Sequence, residues 1–276
     1  MQWEEQQIQK YLSPVSKPSS IDPSSGALIF TSDDADVFEE RWQRHSKPQA
    51  TDQFWKILTD PSALQGKIVL DAGCGIGRYT QRAIEAKARQ VISVDISSHA
   101  IHSTSKLAPG ALLLQADLLD LPVRTCSVDF AFSIGVLHHT PDPRRAFAQV
   151  ARTVKQGGML AVWVYCVPDD PIITAAINML HDITRACPKE ALYNAIKTHA
   201  TSVRDSYSKA WGPLQQVLRV SISSNDEECV SDTFDWHGPR YRSLHTEKEV
   251  AGWFDQNGFD VVKIGEHKVN VLGKKR

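Results

Sequence analysis

The sequence predicts an α/β protein: a mostly parallel sheet with helices on both faces, followed by a helical insertion and then a last strand that runs antiparallel. Three observations carry this. Apolar strand-like runs alternate with helical stretches from Lys67 to Cys166. One of those strands runs straight into glycines at alternate positions, Gly73, Gly75 and Gly77. The rhythm breaks over residues 168–245, which read as helices, and returns at Thr246.

The elements follow in order. Residues 1–33 read as a flexible N-terminal arm, because Ser13, Pro14, Pro18, Ser19, Ser20, Pro23, Ser24 and Ser25 favour extended or turn backbone. Val37, Phe38, Trp42, Phe54, Trp55 and Leu58 are spaced for one or two helices over residues 34–59. A strand at 67–72 precedes a helix at 77–87. Strand 90–95 precedes helix 98–107, strand 111–116 ends before Asp117, and strand 128–134 ends before His138. Pro143 suits the first turn of a helix over 143–154, and Gly157-Gly158 turns the chain into strand 159–166.

The insertion holds helical stretches near 172–186, 189–200 and 206–220, then a polar, aromatic segment. Thr246-Glu247-Lys248-Glu249 is a capping box that opens a helix ending near Gly258. Strands at 259–265 and 268–273 are joined through Gly265-Glu266-His267, short enough to imply an antiparallel hairpin at a sheet edge. The organisation is an arm (1–33), a main domain (34–167 and 246–276) and an insertion (168–245).

Composition narrows the classes. The chain has 276 residues, 42% of them hydrophobic and 23% charged, as in a globular protein with a full core. Lys and Arg number 31 against 32 Asp and Glu, a formal net charge of −1, which argues against a broad polyphosphate-binding surface and so against nucleic acid. The five cysteines are scattered without a C-x-x-C pair, pointing to a reducing, cytoplasmic setting. The first residues lack the pattern of a secretory signal, and the longest apolar run, Met159 to Val167, is too short to cross a bilayer. The ten histidines show no metal-ligand spacing.

Chemistry concentrates at Val69-Leu70-Asp71-Ala72-Gly73-Cys74-Gly75-Ile76-Gly77-Arg78. A strand feeding a glycine turn lets a ligand approach the backbone where a Cβ would clash, and the following helix points free N–H groups into the same crevice. A dinucleotide fingerprint has a third glycine where Arg78 stands here. Asp71, just before the turn, is a poor neighbour for pyrophosphate and suits a ligand that carries positive charge. S-adenosylmethionine has an ammonium, a sulfonium and no phosphate.

The chain resembles the class I S-adenosylmethionine-dependent methyltransferases. The resemblance covers about residues 66–167 and 246–273. Besides the glycine segment it rests on Val94-Asp95-Ile96-Ser97, Gln115-Ala116-Asp117-Leu118, Val128-Asp129-Phe130-Ala131-Phe132-Ser133, Gly135-Val136-Leu137-His138-His139-Thr140 and Gly157-Gly158-Met159-Leu160, in that order. It implies a Rossmann-like seven-stranded sheet with an antiparallel last strand, and S-adenosyl-L-methionine as cofactor. It places Gly73, Cys74, Gly75 and Gly77 under the methionine part and Asp71 toward the ammonium. Asp95, with Ile96 beside it, would take the ribose hydroxyls. Asp117 and Leu118 would bracket the adenine, and Ser133 and Ile134 would lie near the transferred methyl. Asp95 also suits a plain N-cap role for the helix that follows, which Ser97 or Ser98 could fill instead.

His138 and His139 follow the fourth strand, where an acceptor would meet the methyl group. Neutral imidazole is a workable base there, and a histidine pair before Thr-Pro equally suits a turn-shaping role. The segment Phe234 to His245 reads either as a surface loop or as a substrate wall with His237, Tyr241 and His245 as donors or bases. Arg41 and Trp42 suit a cover over the methionine end or plain packing. The expected reaction is in-line methyl transfer to an O or N atom of a small-molecule acceptor, with the insertion as a substrate lid. An RNA- or protein-modifying methyltransferase and a cofactor-binding protein without catalysis are the alternatives.

Overall fold

A computed structural model describes residues 8–30, 61–207, 213–265 and 269–276. The helices expected over 34–59, with Arg41 and Trp42, lie outside the described residues, as does most of the 265–267 turn. The chain divides into two compact units, the first running to Cys166 and resuming at Ser243, the second being Val167–Arg242. Ser243 to His245 therefore belong to the first unit rather than to the insertion.

The first unit is built on β1 (Ser20–Ile21), β2 (Leu28–Ile29), β3 (Ile68–Ala72), β4 (Gln90–Asp95), β5 (Leu112–Gln115), β6 (Val128–Ile134), β7 (Val154–Trp163), β8 (Phe259–Ile264) and β9 (Asn270–Lys275). They form one sheet in the order β1-β2-β5-β4-β3-β6-β7-β9-β8. β3, β4, β5, β6 and β7 pair in parallel, and β9 runs antiparallel to both β7 and β8. Helices α1 (Arg78–Glu85), α2 (Ser98–Leu107) and α3 (Pro143–Thr153) belong to this unit. The second unit holds α4 (Pro171–Ala186), α5 (Lys189–Tyr207), α6 (Pro213–Leu218) and α7 (Asp226–His237), and α8 (Glu247–Gln256) returns to the first.

Period-two alternation sorts the strand residues onto the two faces. Leu70, Ala72, Ile92, Val94, Leu112, Leu114, Ala131, Leu160 and Val162 join one core cluster, which α3 and α8 cover with Phe147, Val150, Trp253 and Phe254. Val69, Val91, Leu113, Phe130, Phe132 and Ala161 join the other, with Tyr79 and Ala83 of α1 and Ile101 of α2. Phe147 meets Phe254 edge-on at 4.9 Å, a contact worth about 0.5–1.5 kcal/mol beyond its buried area. The order reverses at β3, with β4 and β5 on one side and β6 and β7 on the other. A crevice at the carboxyl ends of such strands is where open α/β sheets bind ligands.

The sheet differs from expectation at its edge. The described residues make nine strands rather than seven, because the arm supplies two. Leu28 and Ile29 pair in parallel with Leu114 and Gln115, and Ser20 and Ile21 pair back onto them. Tyr11 and Leu12 are buried in the core. Arg124 N–H donates to the Tyr11 carbonyl at 2.8 Å, and Ser13 N–H donates to the Pro122 carbonyl at 2.8 Å. The flexible arm is thus corrected over residues 8–30. Its Ser and Pro residues shape turns between anchoring apolar residues.

In the second unit, Asp170 caps α4 by accepting from Ile172 N–H at 2.8 Å, with Pro171 in the first turn. The aromatic segment is not all loop, since Phe234 to His237 end α7. Asn225 caps that helix by accepting from Glu228 N–H at 2.9 Å, and Asp226, Glu227 and Glu228 complement its N-terminal dipole. These caps outweigh the low helix propensity of its β-branched and aromatic residues. Tyr193 of α5 meets Phe234 edge-on at 5.4 Å, beside a small core of Ala200, Cys229 and Val230. Among the described residues no helix is long and apolar enough to cross a membrane.

Leu12 is 1% exposed. Leu12→Ala is expected to lower unfolding free energy by about 2–5 kcal/mol in urea titration. An unchanged midpoint would mean that the arm does not contribute to the folded core.

Candidate functional site

The glycine turn follows β3, and its three glycines have φ of 88°, 54° and 91° at Gly73, Gly75 and Gly77. At two of them the neighbours also leave no room. A Cβ on Gly73 would lie 2.4 Å from the Val136 methyls, and one on Gly77 would lie 2.9 Å from the Thr104 backbone. Thr104 of α2 reaches back to donate its hydroxyl to the Gly75 carbonyl at 2.9 Å. Cys74 is buried, and burial pushes its thiol well above the ordinary range. Gly77 begins α1 without a side-chain cap, and the turn before it is held by Gly73 and Cys74 N–H donating to the Val94 carbonyl and Gly77 N–H donating to the Cys74 carbonyl.

Asp95 ends β4 and faces this turn. Its Oδ2 accepts from Gly75 N–H at 2.9 Å and its Oδ1 accepts from Ser97 N–H at 3.0 Å. The cap of α2 is Ser97, which accepts from Ala100 N–H at 3.1 Å. At the end of β5, Asp117 Oδ1 accepts from Leu119 N–H at 2.8 Å and shapes the turn that holds Leu118. Gln115 donates to the Ile96 carbonyl at 3.2 Å, joining the ends of β4 and β5. Ile96 is half-buried and Leu118 is buried.

Asp71 stands apart from the arrangement expected of it. It is 1% exposed and accepts from the Thr80 hydroxyl at 2.7 Å, and Thr80 is 2.9 Å from the Ser93 hydroxyl. Burial pushes its carboxyl up to about 7, opposed by the Thr80 hydrogen bond and reinforced by the nearby Asp95. The geometry supports holding α1 against β3 and β4. Ser133 is likewise fully buried, and its hydroxyl donates to the Ala72 carbonyl at 2.8 Å, tying β6 to β3.

His138 and His139 lie in a short 3-10 turn after β6, 0% and 2% exposed. The His138 ring packs on Tyr165 with centroids 3.8 Å apart, His139 lies 4.2 Å from His138, and Trp163 meets His138 edge-on at 6.3 Å. Trp163 also limits Gly135, where a Cβ would fall 3.1 Å from its ring. His237 sits in the second unit, 6% exposed, its Nε2 2.8 Å from the Leu218 carbonyl. Burial pushes its imidazole below the usual range. Tyr241 is half-buried in that unit, with the Arg240 guanidinium 5.4 Å from its ring. His245 is in the first unit beside Glu249.

The structure thus brings Gly73, Cys74, Gly75, Gly77, Asp95, Ile96, Asp117 and Leu118 to the carboxyl ends of β3, β4 and β5. It closes Asp71, Ser133, His138 and His139 into the interior. Sequence reasoning missed Thr80, Ser93 and Thr104, which brace the turn, and Trp163 and Tyr165. The last two were within reach, since they are two residues apart at the end of a strand and therefore share a face. No group of three or more His, Cys, Asp or Glu placed to hold a metal occurs among the described residues.

An adenosyl ligand fits what is present. The carboxylates of Asp95, ending β4, and Asp117, just past β5, are acceptors of the kind that ribose hydroxyls and an adenine amine need.

The buried Asp71 gives a pH-dependent outcome. A raised folded pKa means that the native state holds the proton more tightly. The Asp71 contribution to native stability therefore falls as pH rises from near 4 to about 7, then stays level. Asp71→Asn is expected to remove that fall. In chemical denaturation of the ligand-free chain it gains on the natural sequence across this window, by at most about 4 kcal/mol. Parallel curves would mean that Asp71 ionises freely.

Comparison with known proteins agrees with this geometry. Residues 70–162 match a family described as Methyltransferase domain. The O-methyltransferase cnsE of Penicillium expansum is 31% identical over 147 residues, covering 48% of this chain and 53% of that protein. The tRNA U34 carboxymethyltransferase of Hahella chejuensis is 34% identical over 124 residues, covering 42% of this chain and 38% of that protein. The chain thus spans about half or less of the length of these curated relatives. An S-adenosylmethionine-dependent methyltransferase of Mesorhizobium loti superposes with a TM-score of 0.50 at 17% identity, over 77% of this chain and 93% of that one, a likeness of fold. Strand order and glycine turn agree with the match of residues 70–162 to a methyltransferase domain.

Proposed function

We propose that the protein transfers a methyl group from S-adenosylmethionine to an oxygen or nitrogen of a small-molecule acceptor. The observation that carries this reading is the Asp95 carboxylate at the end of β4, bonded directly to the N–H of Gly75 in the glycine turn. Bound S-adenosylmethionine would supply a methyl on a cationic sulfur to the acceptor atom, with S-adenosylhomocysteine as leaving group and the acceptor's proton passing to solvent. The residues of this chain bind and orient. Gly73, Gly75 and Gly77 floor the methionine part, Asp95 takes the ribose hydroxyls, and Ile96, Asp117 and Leu118 take the adenine. Orientation of this kind recovers on the order of 7–11 kcal/mol of barrier. His138 and His139, closed in by Trp163 and Tyr165, shape the turn beside the transferred methyl. The second unit is the segment assigned to acceptor selection.

A small-molecule acceptor is supported by the O-methyltransferase names among the relatives and by a net charge of −1. An RNA acceptor is the second reading, favoured by the tRNA-modifying relative. Methyl-labelled S-adenosylmethionine, offered with a pool of small phenols, hydroxy acids and amines in one reaction and with bulk tRNA in another, separates them. Label is expected in the small-molecule pool, and label in tRNA alone would replace the first reading with the second. Asp95→Ala is expected to weaken S-adenosylhomocysteine binding about tenfold or more in calorimetry, since a hydrogen bond to a charged group is worth roughly 1.5–3 kcal/mol. Unchanged affinity would remove Asp95 from the ribose site.

A further inference from the structure

Where the chain re-enters the first unit, Ser243, His245 and Glu249 form a continuous hydrogen-bonded line. Glu249 Oε1 lies 3.0 Å from His245 Nδ1, and His245 Nε2 lies 2.8 Å from the Ser243 hydroxyl. Ser243 N–H donates to the His138 carbonyl at 2.9 Å, and the Ser243 hydroxyl oxygen lies 3.2 Å from that same carbonyl. The same segment is stitched to the end of β7, where His245 N–H donates to the Tyr165 carbonyl at 2.8 Å. His138 packs its ring on that same Tyr165.

Glu249 is the informative member. In a capping box this residue reaches back to the N-cap backbone. Here Thr246 caps α8 by accepting from Glu249 N–H at 3.1 Å, while the Glu249 carboxylate turns to the His245 ring. His245 is 6% exposed, and Trp253 packs edge-on against it at 4.8 Å.

The chemistry fixes the direction of the line. An ionised carboxylate only accepts, so Nδ1 of His245 must carry the proton given to Glu249. In the neutral ring Nε2 is then an acceptor, and the single Ser243 hydroxyl proton goes to it at 2.8 Å rather than to the His138 carbonyl at 3.2 Å. That aims the Ser243 oxygen and places its N–H against the His138 carbonyl. We propose that Glu249, His245 and Ser243 are positioning residues for the methyl-transfer site, holding the His138–His139 turn after β6 in register with β7. The proposal rests on the methyltransferase reading for its function. The line itself is independent of that reading.

The experiment uses the full chain with 15N-labelled histidine, saturated with S-adenosylhomocysteine. In imidazole NMR, His245 is expected as a single neutral tautomer with the proton on Nδ1. Ser243→Ala is expected to move the His138 ring signals, and Glu249→Ala to give a mixture of His245 tautomers. Ser243→Thr, which keeps a hydroxyl, restores the His138 signals. The rate of labelled-methyl transfer to the small-molecule pool falls about tenfold or more in Ser243→Ala and recovers in Ser243→Thr, while affinity for S-adenosylhomocysteine is unchanged. A merely structural tie would change thermal stability and leave the rate at saturating cofactor alone. The proposal is overturned if Ser243→Ala leaves both the His138 signals and the rate unaltered. It is also overturned if a fluorophosphonate labels Ser243, because the line would then activate a nucleophile. Failure of the natural chain to bind S-adenosylhomocysteine would overturn the methyltransferase reading instead, with the His245 tautomer read separately in the unliganded chain.

Discussion

The Asp95 carboxylate is the constraint on which the glycine turn depends. A turn with three residues at positive φ has few hydrogen bonds of its own, and something must hold it in one shape. Asp95 does so from the neighbouring strand, taking one N–H from the turn and one from the start of α2. Thr104 closes the loop from the other side by bonding the Gly75 carbonyl. Two helix starts and two strand ends are thereby fixed relative to one another before any ligand arrives, so the ordering cost of binding is met largely in folding.

A second consequence concerns the two carboxyl groups of the site. Asp71 and Asp95 end adjacent strands and cannot both be ionised cheaply in a buried setting. The structure separates their roles. Asp95 receives backbone N–H donors, while Asp71 is sealed behind the turn with Thr80 and Ser93 and keeps its proton to about neutral pH. The site is therefore less anionic than its sequence suggests.

Much of the fold was legible because the sheet is buried on both faces. Strand residues such as Val69, Leu70 and Ala72 alternate between two cores, and the connecting helices supply the covering residues. The glycine turn was legible because positive φ admits few other residues. What stayed hidden depended on partners distant in sequence. Nothing local tells that Thr80 will meet Asp71, that Leu12 will bridge to Val123, or that Glu249 will turn to His245. Residue type alone left His138 and His139 open to either a base or a turn-shaping role. Their burial follows from Trp163 and Tyr165, whose shared face only becomes relevant once β6 and β7 are paired. The α7 helix was missed because its caps, Asn225 and the acids after it, were outvoted by the aromatic residues that followed.

The arm's short strands have a meaning beyond added core. An open sheet border is a row of unsatisfied donors and acceptors that can recruit another polypeptide. Along β5 that border is occupied by Leu28 and Ile29, with Phe30 N–H adding a bond to the Gln115 carbonyl. At the opposite border, β8 shows Val261, Val262 and Ile264 to solvent, but an irregular register and the charges of Asp260 and Lys263 interrupt it. One flank is guarded by a selvedge of the protein's own chain, the other by a flaw in its weave. A truncation that unpicks the first would leave a fully parallel, apolar margin with no such flaw, and self-association would begin there.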